Sequence, residues 1–146
     1  MIKFFSLSFT NRCLFVRIYI LSGLVRLMVL LIPFRYFKTY LGEYKKQTDY
    51  TLSKSSQEIV YQIQYMIDLV CSNTPWKSEC LVRAITAQKF ITRRNLSSTL
   101  YLGVRKNHKE KLNAHAWLRC GSIIVTGEHE KDLFQEIARF GKHIIK

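Results

Sequence analysis

Two short segments of the chain constrain its fold most strongly. Residues 75–84 read as a loop that turns into a helix and place Cys80 near the helix start, whereas residues 114–118 read as the beginning of a strand that carries His115. The helix dipole and unpaired backbone N–H groups acidify a thiol at a helix N-terminus, and an imidazole on a neighbouring strand can hold the thiolate as its ion-pair partner. A fold that joins these segments can attack a carbonyl group.

Length and charge limit what else the chain contains. Its 146 residues are enough for one domain with one core. The 23 Lys and Arg residues exceed the 10 Asp and Glu residues and give a net charge of +13, which favours an anionic polypeptide or an anionic membrane surface as partner. Nucleic acid is not expected as a partner, because the chain carries no recognised nucleic-acid-binding motif.

The four cysteines indicate a cytoplasmic protein without a metal site. Cys13, Cys71, Cys80 and Cys120 include no C-x-x-C pair and no His at metal-ligand spacing. The composition is not typical of a small secreted disulfide scaffold, and the first residues lack the small-residue cleavage site of a signal peptide. There is also no Gly-rich phosphate loop, so we expect this chain to bind no cofactor.

The chain divides into an N-terminal region, residues 1–56, and a catalytic core, residues 57–146, which we expect to form one folded unit. Residues 13–34 are apolar and long enough to span a bilayer, but Arg26 inside such a span would cost about 2.5–3.5 kcal/mol. A helix packed on the domain, or lying in a membrane surface with its arginines at the headgroups, avoids that cost. Residues 38–56 are polar and basic, which is typical of a linker or an exposed helix end.

Periodicity predicts most elements of the core. Apolar residues at spacings of three and four predict a helix over 57–71, with Ser55 or Ser56 as its N-cap. Residues 99–104 have the alternation and β-propensity of a strand. The C-terminal segment is expected to add a short strand near 137–140.

A second helix is expected to present the nucleophile. It runs over residues 79–94 with Ser78 as its N-cap, so that Cys80 is the second helical residue. The backbone N–H of Cys80 is unpaired in that first turn and is the expected oxyanion donor. Trp76 and Trp117, which lie beside the two key segments, are candidates for lining a substrate groove.

The strand of His115 is expected to return as a hairpin. With Cys120 and Gly121 as the two turn residues, His115 lies opposite Thr126 and on the same face. A three-residue turn would place Gly127 opposite instead. On the two-residue register, alternation assigns the aliphatic residues to the core face and groups His115 with the opposite one. The residues of the expected core face are Ala116, Leu118, Ile123 and Val125, and those grouped with His115 are Trp117, Ile124 and Thr126.

Several ordered motifs resemble one family, the transglutaminase-like leader peptidases of lasso-peptide biosynthesis in their stand-alone (split) form. These motifs are residues 80–84, 102–105 and 114–118, together with 25–27 and 32–35 near the N-terminus. The resemblance implies an α+β, transglutaminase-like (papain-like) fold, in which a helical N-terminal half and the nucleophile helix pack on a small antiparallel sheet. It also implies that Cys80 attacks the carbonyl at the leader–core junction, His115 shuttles the proton, and water hydrolyses a thioester.

The resemblance further implies partners. Members of this family act on a ribosomally made precursor peptide together with a small leader-binding protein. They pass the core peptide to a cyclase related to asparagine synthetase, and this cyclase uses ATP. Contact of this chain with a membrane surface stays open beside these partners.

One position departs from the family pattern. Many members carry an Asp about a dozen residues after the His, as the third member of a catalytic triad, but here residues 125–128 read Val-Thr-Gly-Glu. Thr126 is the candidate third member, and Glu128 or a backbone carbonyl are the alternatives. A neutral acceptor stabilises an imidazolium less than a carboxylate does.

The alternative to a peptidase is a non-catalytic basic module that binds an anionic peptide or a membrane surface. In that case, Cys80 is a packed thiol, as free cysteines commonly are. The peptidase hypothesis predicts that Cys80→Ala or His115→Ala abolishes cleavage and leaves the fold intact, on the expectation that both side chains lie at the edge of a cleft.

Overall fold

A computed structural model describes residues 4–145. Its helices are α1 (Phe9–Leu31), α2 (Phe34–Phe37), α3 (Lys54–Cys71) and α4 (Cys80–Arg93). Its strands are β1 (Glu43–Tyr44), β2 (Ser98–Lys106), β3 (Leu112–Cys120), β4 (Ile123–Thr126) and β5 (Gln135–Lys142), and 3-10 turns cover Phe4–Ser6, Lys38–Leu41 and Glu128–Leu133. The predicted α+β fold with a small antiparallel sheet is confirmed.

The sheet has the strand order β1-β5-β2-β3-β4, and every neighbouring pair is antiparallel. The expected C-terminal strand exists and is longer than its predicted core of four residues. It pairs with β2 on one side, where Phe140 lies opposite Leu100, and with the short β1 on the other. Strand β5 therefore lies between β1 and β2 in the sheet.

One face of the sheet forms the core with the helices. Leu100, Leu118 and Phe140 are buried on this face, and α3 and α4 pack over β3 and β4. The four residues predicted for the core face of the hairpin all belong to this cluster. Alternation along each strand turns the intervening side chains to the opposite face, which the helices leave uncovered.

The start of α3 differs from the prediction. Ser53, rather than Ser55 or Ser56, is the N-cap, and its Oγ accepts a hydrogen bond from the backbone N–H of Ser56 at 3.2 Å. The helix therefore begins at Lys54. Each of the three serines has the hydroxyl that an N-cap requires, and Ser53, the first of them, caps the helix.

The hairpin register also differs from the prediction. Gly121, at φ 59°, and Ser122 form the turn, because a left-handed turn position favours glycine. Cys120 consequently pairs with Ile123 rather than occupying the turn. An irregularity then shifts the register, and Thr126 lies opposite the core residue Leu118 instead of opposite His115.

Helix α1 packs against α3 and α4 with one face. Leu14, Ile18 and Val25 on that face are buried. By length and composition alone, α1 is the one helix among residues 4–145 that is long and apolar enough to cross a membrane, with a mean hydropathy of 2.1 and 22% of the stretch buried in the fold.

Candidate active site

Cys80 is the first residue of α4 rather than the second. Glu79 occupies the N-cap position and makes no side-chain capping bond. The predicted cap, Ser78, instead shares a 2.9 Å hydrogen bond with the hydroxyl of Thr74. Since no side chain caps the helix, the N–H groups of its first turn are left for another acceptor. The thiol of Cys80 is half-buried and has no hydrogen-bond partner among residues 4–145.

The loop before Cys80 is fixed by contacts with two helices. Arg83 of α4 donates to the carbonyl of Ser78 at 3.0 Å and forms an ion pair with Asp68 of α3 at 3.4 Å. On the other side, Arg26 of α1 pairs with Glu79 at 3.6 Å. These contacts hold the position from which α4 starts.

Trp76 anchors the same loop to α1. Its ring lies 4.9 Å from the ring of Tyr19, and a Cβ on Gly23 would come within 3.1 Å of it. Its indole N–H is buried and has no hydrogen-bond partner within the described chain. Trp76 is therefore packed into the fold in this structure, and the prediction that it lines a substrate groove stays untested.

The imidazole of His115 is fixed on three sides. Its ring lies 4.9 Å from Phe134 and 5.9 Å from Trp117, in stacked arrangements with both. Nε2 is 2.9 Å from the backbone carbonyl oxygen of Gly127. A carbonyl only accepts, so Nε2 must carry the hydrogen, and Nδ1 of the neutral ring is then free to accept a proton.

His115 is more deeply buried than a residue at the edge of a cleft. Only 8% of its surface is exposed. The structure therefore contradicts the premise that His115 lies at the edge of a cleft. Removing the ring opens a cavity beside two aromatic side chains, so we do not expect His115→Ala to leave the fold intact.

Of the three acceptors considered for His115, the structure supplies the backbone carbonyl. The hydroxyl of Thr126 is buried and has no hydrogen-bond partner within residues 4–145, and the side chain of Glu128 is exposed. Gly127, twelve residues after His115, provides the acceptor through its main chain.

Gly127 lies in the stretch 125–128, about a dozen residues after His115, where the family resemblance leads to the expectation of an Asp. Its φ is 77°, in the left-handed region. A Cβ there would lie 2.5 Å from the carbonyl oxygen of Ala116 and 3.0 Å from Nε2 of His115. A side chain at this position requires the backbone to move.

Contacts of α3 connect the first turn of α4 with the end of β4. Gln64 of α3 donates to the carbonyl of Ile124 at 2.9 Å, which aligns α3 with β4. One turn later, burial raises the pKa of the Asp68 carboxyl, and the positive charges of Arg83 and His129 oppose that rise. Arg83 in the first turn of α4 and His129 just after β4 therefore both act on the carboxylate of Asp68.

The ladder between β3 and β4 ends before it reaches His115. The last pair between β3 and β4 is Leu118 with Thr126, so β3 has no neighbour on that side at His115. By strand alternation the imidazole lies on the face of the sheet away from the helices, whereas α4 packs on the other face. No hydrogen bond joins Cys80 to His115 in the described structure.

Trp117 lies at the floor of a groove on the uncovered face. Its ring stacks on Tyr101 at 5.5 Å with an interplanar angle of 7°. The groove has a volume of about 800 Å³ and is open to solvent. Its polar wall includes Arg119 and Arg139. That Trp117 contacts substrate stays a prediction.

The other cysteines occupy different environments. Burial raises the pKa of the Cys120 thiol to about 11 and also raises the pKa of Cys71, whereas Cys13 is exposed. Within residues 4–145, no group of three His, Cys, Asp or Glu side chains is arranged to hold a metal ion. These thiols differ from Cys80, which alone begins a helix.

Comparison with known proteins gives one match. The family model described as the transglutaminase-like superfamily matches residues 28–139, a range that contains Cys80, His115 and Gly127. No curated protein and no solved structure shows significant similarity to the chain.

Proposed function

Because the chain belongs to the transglutaminase-like superfamily, in which cysteine peptidases are usual members, we propose that it is a cysteine endopeptidase that removes the leader from a ribosomally made lasso-peptide precursor in the cytoplasm. The observation that carries the chemistry is the hydrogen bond from Nε2 of His115 to the Gly127 carbonyl. It leaves Nδ1 as the basic atom of the ring. The substrate assignment derives from the motif resemblance around Cys80 and His115.

The proposed reaction has two steps. Nδ1 of His115 takes the thiol proton of Cys80, and the thiolate attacks the carbonyl carbon at the leader–core junction. The backbone N–H of Cys80, free in the first turn of α4, stabilises the oxyanion. His115 then returns the proton to the amine of the core peptide, which leaves. Water, deprotonated by His115, hydrolyses the remaining thioester and releases the leader with a free carboxylate.

The Gly127 carbonyl orients the imidazole but carries no full charge. An imidazolium is stabilised less by a neutral acceptor than by a carboxylate, so the proposed enzyme is slower than a relative with Asp at this position. Stacking between Phe134 and Trp117 offsets part of this difference by holding the ring in one orientation.

The proposed partners follow from the same resemblance. A small leader-binding protein presents the precursor, and an asparagine-synthetase-like cyclase consumes ATP and closes the released core peptide. The groove beside Trp117 is the surface of this chain that we propose receives the precursor.

The test is cleavage of a candidate precursor by the purified protein, with and without a leader-binding partner, followed by mass spectrometry of the products. We expect two fragments whose masses sum to the precursor plus one water. Cys80→Ala should abolish them, whereas Cys13→Ala, a change at an exposed thiol far from α4, should not. Cleavage by the Cys80→Ala protein would overturn the proposal.

A further inference from the structure

Helix α1 exposes an apolar stripe on the side opposite its packed face. The stripe residues recur at spacings of three and four and are Phe9, Cys13, Val16, Ile20, Leu24, Leu27 and Leu31. The six apart from Cys13 are between 45% and 76% exposed, and Cys13 is exposed as well. A stripe of this length, continuous over the whole helix, exceeds the scattered apolar residues that normal protein surfaces carry.

Positive charges border the stripe. At about 100° per residue, Arg12 and Arg17 fall on opposite sides of it. The first 42 residues of the chain contain six Lys and Arg and no Asp or Glu. An apolar strip flanked by cations matches a surface whose interior is hydrocarbon and whose headgroups are anionic.

The segment after α1 extends the same character. Tyr36 and Tyr40 are 60% and 76% exposed and lie beside Arg35 and Lys38. Tyrosine has an apolar ring with a polar tip, and side chains of this kind are enriched at the boundary between lipid and water.

We propose that α1 is an interfacial helix that docks the protein on an anionic lipid membrane. The helix lies in the plane of the surface, with the stripe in the acyl boundary and Arg12 and Arg17 at the headgroups. This inference goes beyond the proposed peptidase activity and does not depend on it.

The contacts of the opposite face favour lying on the membrane over crossing it. Ile18 is fully buried against the core, and Arg26 is paired with Glu79. A spanning helix would lose both contacts and would place Arg26 in hydrocarbon. A second copy of the chain is a poorer occupant of the stripe, since each copy carries a net charge of +13 and the two repel.

Docking in this way sets where the candidate site lies. Trp76 and Glu79 contact α1 at Gly23 and Arg26, and both belong to the loop before Cys80. The nucleophile is therefore held next to the membrane-docked helix.

The experiment is co-sedimentation with vesicles of phosphatidylcholine alone and of phosphatidylcholine mixed with phosphatidylglycerol. We expect the full chain to bind the mixed vesicles, with binding weakened when NaCl rises from about 0.05 to about 0.5 M. The double variant Ile20→Glu, Leu24→Glu should bind at least about tenfold more weakly, because two side chains that insert have become charged. Ile20→Gln, Leu24→Gln is the milder variant if the first does not fold.

The matched control is Leu112→Glu, Ile137→Glu, which adds the same two charges at exposed apolar positions of the sheet, 68% and 57% exposed. It should bind like the unchanged protein. The proposal is overturned if the unchanged chain does not bind mixed vesicles, or if both double variants lose binding equally. It is also overturned if the chain dimerises through the stripe, or captures an acidic protein there, without binding vesicles.

Discussion

Three contacts hold the side chain of His115 in place. Around Cys80, by contrast, the contacts hold the backbone, and the thiol has no hydrogen-bond partner in the described structure. His115 has an aromatic ring on either side and a hydrogen bond at Nε2. Around Cys80, ion pairs and the packed ring of Trp76 hold the loop, but Sγ makes no hydrogen bond in the described structure. On the proposed mechanism, this difference corresponds to a preorganised base and an available nucleophile.

We expect the largest effect from removing the thiol of Cys80. Cys80→Ala should lower precursor cleavage by at least about 10⁴-fold, because no other group in the proposed mechanism forms the thioester. The half-buried position of the thiol predicts a small change in thermal unfolding midpoint. Cleavage rates measured by mass spectrometry, with Cys13→Ala as control, decide this; a rate within tenfold of the unchanged protein would contradict it.

We expect the next largest effect from replacing His115, the proposed base. His115→Gln should lower cleavage by about 10³-fold, since proton transfer in both steps is lost. His115→Ala should in addition lower the free energy of unfolding by about 1–3 kcal/mol, because the cavity between Phe134 and Trp117 is not filled. Denaturant unfolding of the two variants separates chemistry from packing, and equal stability of both would show that the ring does not pack as described.

Gly127→Ala tests the main-chain acceptor. A Cβ at φ 77° is strained and would press on Ala116 and on Nε2 of His115. We expect a loss of about 1–3 kcal/mol in the free energy of unfolding and a lower cleavage rate per folded molecule. Ser122→Ala, an exposed change in the neighbouring turn, is the control. A Gly127→Ala protein with unchanged stability and rate would contradict the geometry.

The smallest effect is expected at Thr126. Its hydroxyl is buried and unpaired in the described structure, so Thr126→Val should leave stability unchanged or raise it by up to about 1 kcal/mol. Cleavage should stay within about twofold of the unchanged protein. A large loss of cleavage at normal stability would instead identify Thr126 as the third catalytic member.

The sequence predicted those parts of the fold that side-chain periodicity controls. The helix that ends at Cys71 and the helix that carries Cys80 follow from apolar spacing. The residues of the C-terminal segment fitted a helix or a strand, and β5 was expected because the sheet of the resembled family needs strands beyond the hairpin. The capping residues were predicted one to three positions late or early. For α3, three neighbouring serines offer the same hydroxyl, whereas α4 starts at Glu79 with no side-chain cap.

The sequence left more than one possibility open for the part of the site that the main chain forms. Gly121 satisfies either of two turn positions, so the register of Thr126 and the position of Gly127 stayed open. A backbone carbonyl has no residue-type signature, and it could only be placed among the alternatives to Thr126 and Glu128. The stacking of Phe134 on His115 was not predicted either. Phe134 lies beyond the hairpin, and no local sequence pattern links the two residues.

The pairing of Cys80 with His115 is tested most directly by alkylation of the folded protein with iodoacetamide at pH 7. Peptide mapping gives the rate at Cys80 relative to the rate at exposed Cys13 in the same molecule, and it distinguishes both from the buried Cys71 and Cys120. If His115 accepts the proton of Cys80, the ratio should fall by at least about tenfold in the His115→Gln protein. An unchanged ratio would show that the imidazole does not act on the thiol, and the proposed dyad would be wrong.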